Sequence, residues 1–192
     1  MRVIAGKLRG RKLQSVPKDY RSVRPISGRI KKSLFDILFH LVPGSRFMDV
    51  FAGTGAVGME ALSRGAEFVF FIDMDSKCVD VITENIKRGG FAGKAKAHVG
   101  NALSELSWVP FRSGVEKFDL VFLGPPYKDE ERRPLSLSSP ALKRLAESGL
   151  LADKAVVVCQ HHVKEDVSEL PELPRIRRER YGDTYLDFFK WK

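Results

Sequence analysis

The sharpest chemical feature of the sequence is Gly124-Pro125-Pro126-Tyr127, which closes the apolar run from Phe118 to Leu123. Two prolines fix the backbone and carry no N–H, so nearby carbonyls are left as outward-facing acceptors. A tyrosine beside them offers a flat face to a nucleobase, and such stacking is worth about 1–3 kcal/mol per base. An exocyclic amino group is a poor nucleophile because its lone pair is delocalised into the ring. Acceptors that grip its hydrogens bias the nitrogen towards tetrahedral geometry and aim the lone pair at a methyl group. Methyl transfer from a sulfonium needs in-line approach, so orientation supplies the rest of the rate. A proline-rich turn leaving a strand explains Pro-Pro alone; it does not explain the tyrosine at this strand end. Gly124, Pro125, Pro126 and Tyr127 are therefore the candidate catalytic residues.

A nucleotide site is expected at three successive strand ends. The first is Asp49-Val50-Phe51-Ala52-Gly53-Thr54-Gly55, whose glycines let the backbone approach a ligand and open a helix. The second is Asp73, with Met74 beside it; a carboxylate there can accept from both ribose hydroxyls. The third is Asn101, followed by Ala102, where an amide meets an adenine edge or instead caps a short helix. Candidate cofactor contacts are thus Asp49, Phe51, Ala52, Gly53, Thr54, Gly55, Asp73, Met74, Asn101 and Ala102. The spacing of Gly53, Gly55 and Gly58, with Asp73 downstream, also satisfies the dinucleotide fingerprint, so an NAD(P)-dependent oxidoreductase stays open. Asp49 weighs against it, since a pyrophosphate gains nothing from an extra negative charge. The ammonium of a methionine moiety does.

The elements that must position these residues alternate along the chain. A helix is expected from Ser27 to Leu41, then strands at Arg46–Val50, Phe68–Ile72, Lys94–Val99, Phe118–Leu123 and Ala155–Cys159. Helices are expected from about Ala56 to Arg64, from Asp75 to Gly89-Gly90, and around Pro140 to Ser148. Two β-like runs, Arg175–Tyr181 and Thr184–Trp191, flank a Gly182-Asp183 turn and predict a closing antiparallel pair. This order specifies an α/β doubly wound sheet with ligands at the carboxyl ends of its strands. His161 and His162 fall just past the fifth strand and read as a solvated strand end.

Charge adds a partner. The net charge is +9, and residues 1–32 hold eleven Lys or Arg against Asp19 alone. The remainder is nearly neutral, so one basic segment meets a polyanion, for which phosphate is the commonest. Alternation around Gly6 and Gly10 predicts a short basic hairpin, and the candidate RNA contacts are Arg2, Lys7, Arg9, Arg11, Lys12, Arg24 and Arg29. Domains are expected at 1–25 and 26–192. No apolar run reaches membrane-span length, and no secretory signal is read at Met1. Cys78 and Cys159 show neither metal nor disulfide spacing and read as buried thiols in a reducing cytosol. A cytoplasmic monomer is expected, without membrane or metal.

Several blocks in order resemble a known family. They are Gly6-Lys7-Leu8-Arg9-Gly10-Arg11, Arg24-Pro25-Ile26-Ser27-Gly28-Arg29, Ser33-Leu34-Phe35-Asp36-Ile37-Leu38, Met48 to Gly55, Glu60 to Ala66, Gly124 to Tyr127 and Tyr181-Gly182-Asp183-Thr184. Over nearly its whole length the chain resembles the RsmD family of 16S ribosomal RNA guanine-N2 methyltransferases. The resemblance implies a class I S-adenosylmethionine-dependent methyltransferase fold with a small N-terminal β-hairpin extension. It implies S-adenosylmethionine as donor and a guanine amino nitrogen in small-subunit RNA as acceptor. The family pattern usually has Thr at Ile26, Asp at Gly28 and an acidic residue at Asn101. It has Asp or Asn at Gly124, thought to accept from the target amino group; here only backbone carbonyls, chiefly those of Gly124 and Pro125, can do so. An acceptor lost from a closed site costs on the order of 2–4 kcal/mol in the transition state. A member that binds RNA but methylates weakly is the alternative.

Overall fold

Strand and helix patterns alternate as α1 (Gly28–Ile37), β1 (Arg46–Val50), α2 (Ala56–Ser63), β2 (Phe68–Asp73), α3 (Ser76–Gly89) and β3 (Ala95–Val99). There follow α4 (Val109–Ser113), β4 (Phe118–Leu123), α5 (Ser138–Glu147), β5 (Leu151–His162), β6 (Arg175–Tyr181) and β7 (Thr184–Lys190). This is a computed structural model, and it describes residues 1–16 and 26–192. Arg24 and Pro25, read above as part of a basic block, lie outside the described residues.

Among the described residues seven strands form one sheet in the order β3-β2-β1-β4-β5-β7-β6. β1 runs parallel to β2 and β4, whereas β7 is antiparallel to both β5 and β6. The dinucleotide order 3-2-1-4-5-6 has no strand inserted beside the fifth, so topology removes an ambiguity that the glycines left. The sheet is buried on both faces, as parallel sheets are. Phe47, Phe71, Leu120 and Val158 point to one core with α1, α2 and α3. Met48, Phe70, Val121 and Val157, one residue out of step, point to the other with α4 and α5.

Local chemistry sets the helix ends. Ser27 caps α1 by accepting from Ile30 N at 3.2 Å, and Asp75 caps α3 by accepting from Lys77 N at 2.9 Å. α1 is shorter than expected, because the chain turns at Leu38 before Pro43-Gly44. α4 carried no recognised sequence signal. β5 extends well past Cys159, which corrects the reading of His161 as a solvated strand end, whereas His162 is partly exposed at the last position of the strand. His161 pairs with Tyr185 of β7 and is fully buried, its Nε2 lying 3.1 Å from Asp187 Oδ2. The antiparallel partner strand covers what would otherwise be a solvated end.

The N-terminal segment is an antiparallel turn closed by one bridge, Arg2 to Lys12. Its apolar residues join the main core. Val3, Leu8 and Leu13 are buried in the same core as α1 and α2. Glu60, itself fully buried, accepts from Ile4 N at 2.8 Å, Ala5 N at 2.9 Å, Lys31 Nζ at 2.9 Å and Arg64 Nε at 2.9 Å. Lys31, counted above in the basic segment, is thereby a buried clip that also donates to the Arg2 carbonyl at 2.9 Å. Among the described residues no helix is long and apolar enough to cross a membrane.

Candidate active site

The glycine turn is a strained connection between β1 and α2. Phe51 has φ +59°, Gly53 +55° and Gly55 +74°. Such a conformation is routine for glycine but costly for phenylalanine, and strain of this kind collects at functional sites. Asp73 fastens the turn. Its Oδ2 accepts from Gly53 N at 2.7 Å and its Oδ1 from Asp75 N at 3.0 Å. Burial raises its pKa, opposed by those two N–H donors. From sequence Asp73 is marked for ribose hydroxyls alone; the structure shows it bracing the turn.

Asp49 is almost fully buried in β1, and its Oδ2 accepts from Gly58 N at 2.8 Å. Burial pushes its pKa up to about 8, the Gly58 bond opposing and the nearby Asp73 charge reinforcing. Gly58 is the packing glycine of the turn: a Cβ there would lie 2.2 Å from Phe71 Cε1.

At the other strand end, Gly124 N donates to Val50 O at 3.2 Å, which ties the diproline corner to β1. Pro125 is buried, Pro126 exposed and Tyr127 half-buried. The Tyr127 hydroxyl accepts from Gln160 Nε2 at 2.9 Å and donates to Thr184 Oγ1 at 3.3 Å. The tyrosine is therefore held by its tip, with the His162 ring edge-on at 5.8 Å. Gly124 lacks a side chain in a place already filled; a Cβ would stand 2.8 Å from Phe122 Cε1.

These two strand ends open into one cavity. Asp49, Phe51, Ala52, Gly53 and Thr54 line one part, Asp73, Met74 and Asn101 a second, and Gly124, Pro125, Pro126 and Tyr127 a third. Two of the expected contacts lie apart. Gly55 sits outside the lining, facing Ile82 from the start of α2, and Ala102 is buried in the core with Leu103 in the wall instead. Asn101 Oδ1 accepts from Leu103 N at 2.9 Å, so its amide caps its own turn as well as bordering the cavity. Ile26, Cys78, Phe122, Leu137 and Gln160 also line it. Of these Gln160 is placed by register: Leu123 pairs with Cys159, so the next residue of β5 stands at the end of β4, a neighbour that no local sequence signal gives. Leu137 comes from a connection that no motif marked, whereas Ile26 belongs to the Arg24 to Arg29 block but was not read as a wall of the site. Both cysteines are buried, and burial pushes each thiol up to about 12. Among the described residues no cluster of His, Cys, Asp or Glu could hold a metal ion.

Arg2, Lys7, Arg9, Arg11 and Lys12 are exposed on the N-terminal turn, and Arg29 is exposed on α1. Arg2 also donates to Gly10 O at 2.7 Å, and the Arg11 guanidinium to the Arg88 carbonyl. Arg29 borders a second cavity, which shares Ile26, Tyr127 and Gln160 with the first.

A family model described as conserved hypothetical protein 95 matches residues 1–190. Ribosomal RNA small subunit methyltransferase D of Escherichia coli (strain K12) is 32% identical over 180 residues, 94% of this chain and 84% of that protein. The chain belongs to the RsmD family. A second relative, "Putative rRNA methyltransferase YlbH" of Bacillus subtilis (strain 168), is 32% identical over 191 residues, 99% of this chain and 98% of that one. A solved structure, "Putative methyltransferase yhhF from Escherichia coli", superposes with a TM-score of 0.79 at 27% identity, covering 100% of this chain and 98% of that one. The RsmD-family fold seen here is the α/β fold of S-adenosylmethionine-dependent methyltransferases, and the family is one of RNA methyltransferases.

Proposed function

We propose that this RsmD-family chain transfers a methyl group from S-adenosylmethionine to the exocyclic amino nitrogen N2 of a guanine in 16S ribosomal RNA, within an assembled or assembling small subunit. One observation carries the reading: the glycine turn after β1 and the diproline corner after β4 line a single open cavity. The relatives' names support a ribosomal RNA substrate.

The residues present fit that donor. Asp73 keeps lone pairs for ribose hydroxyls beyond its two backbone bonds, Met74 is 73% exposed at the cavity edge to cover an adenine face, and Phe51 to Thr54 supply a close backbone wall. Asp49 supplies the negative charge that a methionine ammonium requires. When bound, S-adenosylmethionine supplies an electrophilic methyl group on a sulfonium. The chain does the rest by position. Gly124 and Pro125 offer carbonyls to the amino hydrogens, and the Tyr127 ring, pinned at its hydroxyl, stacks the base so that the nitrogen faces the cavity. Arg2, Lys7, Arg9, Arg11, Lys12 and Arg29, with Arg24 from outside the described residues, take RNA phosphates. Residues 1–25 serve as the RNA-contacting extension.

The test is transfer of labelled methyl groups to purified 30S particles and to naked 16S RNA, with nucleoside mass mapping of the product. N2-methylguanosine is expected. Label on another atom would overturn the base assignment. Binding of S-adenosylhomocysteine with no transfer to either substrate would favour a binding protein that lacks the acceptor at Gly124.

A further inference from the structure

The near-neutral sum of the chain beyond its N-terminal segment hides a second, local excess of positive charge. Residues 88–117 hold Arg88, Lys94, Lys96, Arg112 and Lys117 against Glu105 and Glu116. All five cations are exposed, and among the described residues none of them forms an ion pair. β3 pairs with β2 alone and so forms one edge of the sheet. Lys96 Nζ donates to Arg112 O at 3.4 Å, which sets α4 against that edge. Lysines on a sheet edge guard it against pairing with another strand, and that accounts for Lys94 and Lys96. It does not account for Phe111. This ring is 84% exposed on α4, outside both cores, with the Arg112 guanidinium 5.6 Å from its centre. One turn earlier the Trp108 ring lies 4.9 Å from that of His98. Burial and then the Arg112 charge lower the pKa of His98, so Arg112 is felt there too. At its other end the edge meets the N-terminal turn. Lys7 Nζ lies 5.7 Å from the centre of the Phe91 ring, Phe91 O accepts from Lys94 N at 2.8 Å, and the Arg11 guanidinium donates to the Arg88 carbonyl.

Exposed cations without counter-charges fit a polyanion, and an exposed ring beside an arginine fits an unstacked base. Bases inside a duplex are already stacked on one another, so the ring selects a single strand. From this, and resting on the RNA substrate proposed above, we infer that the β3–α4 edge is a second RNA-binding surface, which holds a single-stranded segment away from the target nucleotide. Phe111 stacks one base of that segment, and Lys94, Lys96 and Arg112 take its phosphates. β2 and β1 stand between this edge and the diproline corner after β4, so the surface is separate from the one that receives the reacting base.

The probe is a fluorescent oligouridine of about twelve nucleotides, alone and annealed to oligoadenosine, titrated by anisotropy into the full chain. Phe111→Ala is expected to weaken binding of the single strand about tenfold and to leave the duplex nearly unaffected, while Phe111→Trp, which keeps a ring, retains affinity. Lys96→Gln with Arg112→Gln should flatten the slope of log affinity against log salt by about 1.4, at about 0.7 for each phosphate contact on a single strand. Photocrosslinking of a 4-thiouridine strand, mapped by mass spectrometry, should mark the peptide that carries Phe111. Crosslinks confined to residues 1–16, or equal single-strand affinity with and without the ring, overturn the inference. So does a loss of self-association in Phe111→Ala, seen by sedimentation with RNA affinity intact, which would make this edge a contact between copies. Polyglutamate bound with the same dependence on Phe111 would make it a docking face for an acidic protein. An unaltered chain that bound neither oligonucleotide nor 16S RNA would instead sink the RNA reading on which the inference rests.

Discussion

Asp49 offers a test that separates a charge-pairing role from a merely structural one. Its carboxyl is buried, and burial holds its pKa at about 8 against an ordinary 3.8. Below that value the empty site carries a protonated Asp49. If the ammonium end of the cofactor pairs with it, binding requires ionisation, and each pH unit below 8 costs about 1.4 kcal/mol. At pH 6 the cost is about 2.7 kcal/mol, so affinity for S-adenosylhomocysteine should rise about 50-fold from pH 6 to pH 8 and then flatten. Calorimetry in buffers of different ionisation heat should show about one proton released per ligand near pH 6. The sign for folding is the opposite. A carboxyl whose folded pKa is raised keeps a proton that the unfolded chain has lost, so its contribution to stability falls as pH climbs from about 4 to 8. Asp49→Asn should abolish both slopes, with its affinity deficit greatest at pH 8. A flat affinity profile from pH 6 to 8, with no proton released, would refute the pairing and leave Asp49 as the anchor of Gly58.

Three further outcomes are expected. Tyr127→Ala should lower methyl transfer by about 10- to 100-fold, the equivalent of one stacked base at 1–3 kcal/mol, while S-adenosylhomocysteine affinity is unchanged; calorimetry beside a transfer assay checks it, and lost ligand affinity would contradict the role. Glu60→Ala should cost about 3–5 kcal/mol of stability, because it leaves Lys31 buried without its counter-charge. Pairing that change with Lys31→Met should restore part of the loss in denaturant titrations, and an unchanged midpoint for the single variant would argue against the clip. Replacing Arg9, Arg11 and Lys12 together by Ser should flatten the slope of log affinity for RNA against log salt by about 2–3. Substitution is the right perturbation, since deleting the segment would strip Val3, Leu8 and Leu13 from the core; an unaltered slope would make the basic turn a bystander.

Periodicity and turn chemistry alone determined most of this fold. Alternating buried-strand runs and capped helices located β1 to β4 and α1 to α3 to within a few residues, because those signals are local. The candidate site was equally legible where the chemistry sits in one short segment, as in the turn from Asp49 to Gly55 and the corner from Gly124 to Tyr127. Tertiary structure decided what depends on partners distant in the chain. Pairing with β7 carried β5 past Cys159 and buried His161. Docking on Glu60 turned a basic segment into part of the core and withdrew Lys31 from the surface. Parallel register set Gln160 beside Gly124. Side-chain period is a property of one strand, whereas neighbours across a sheet are fixed by register, which no single segment encodes.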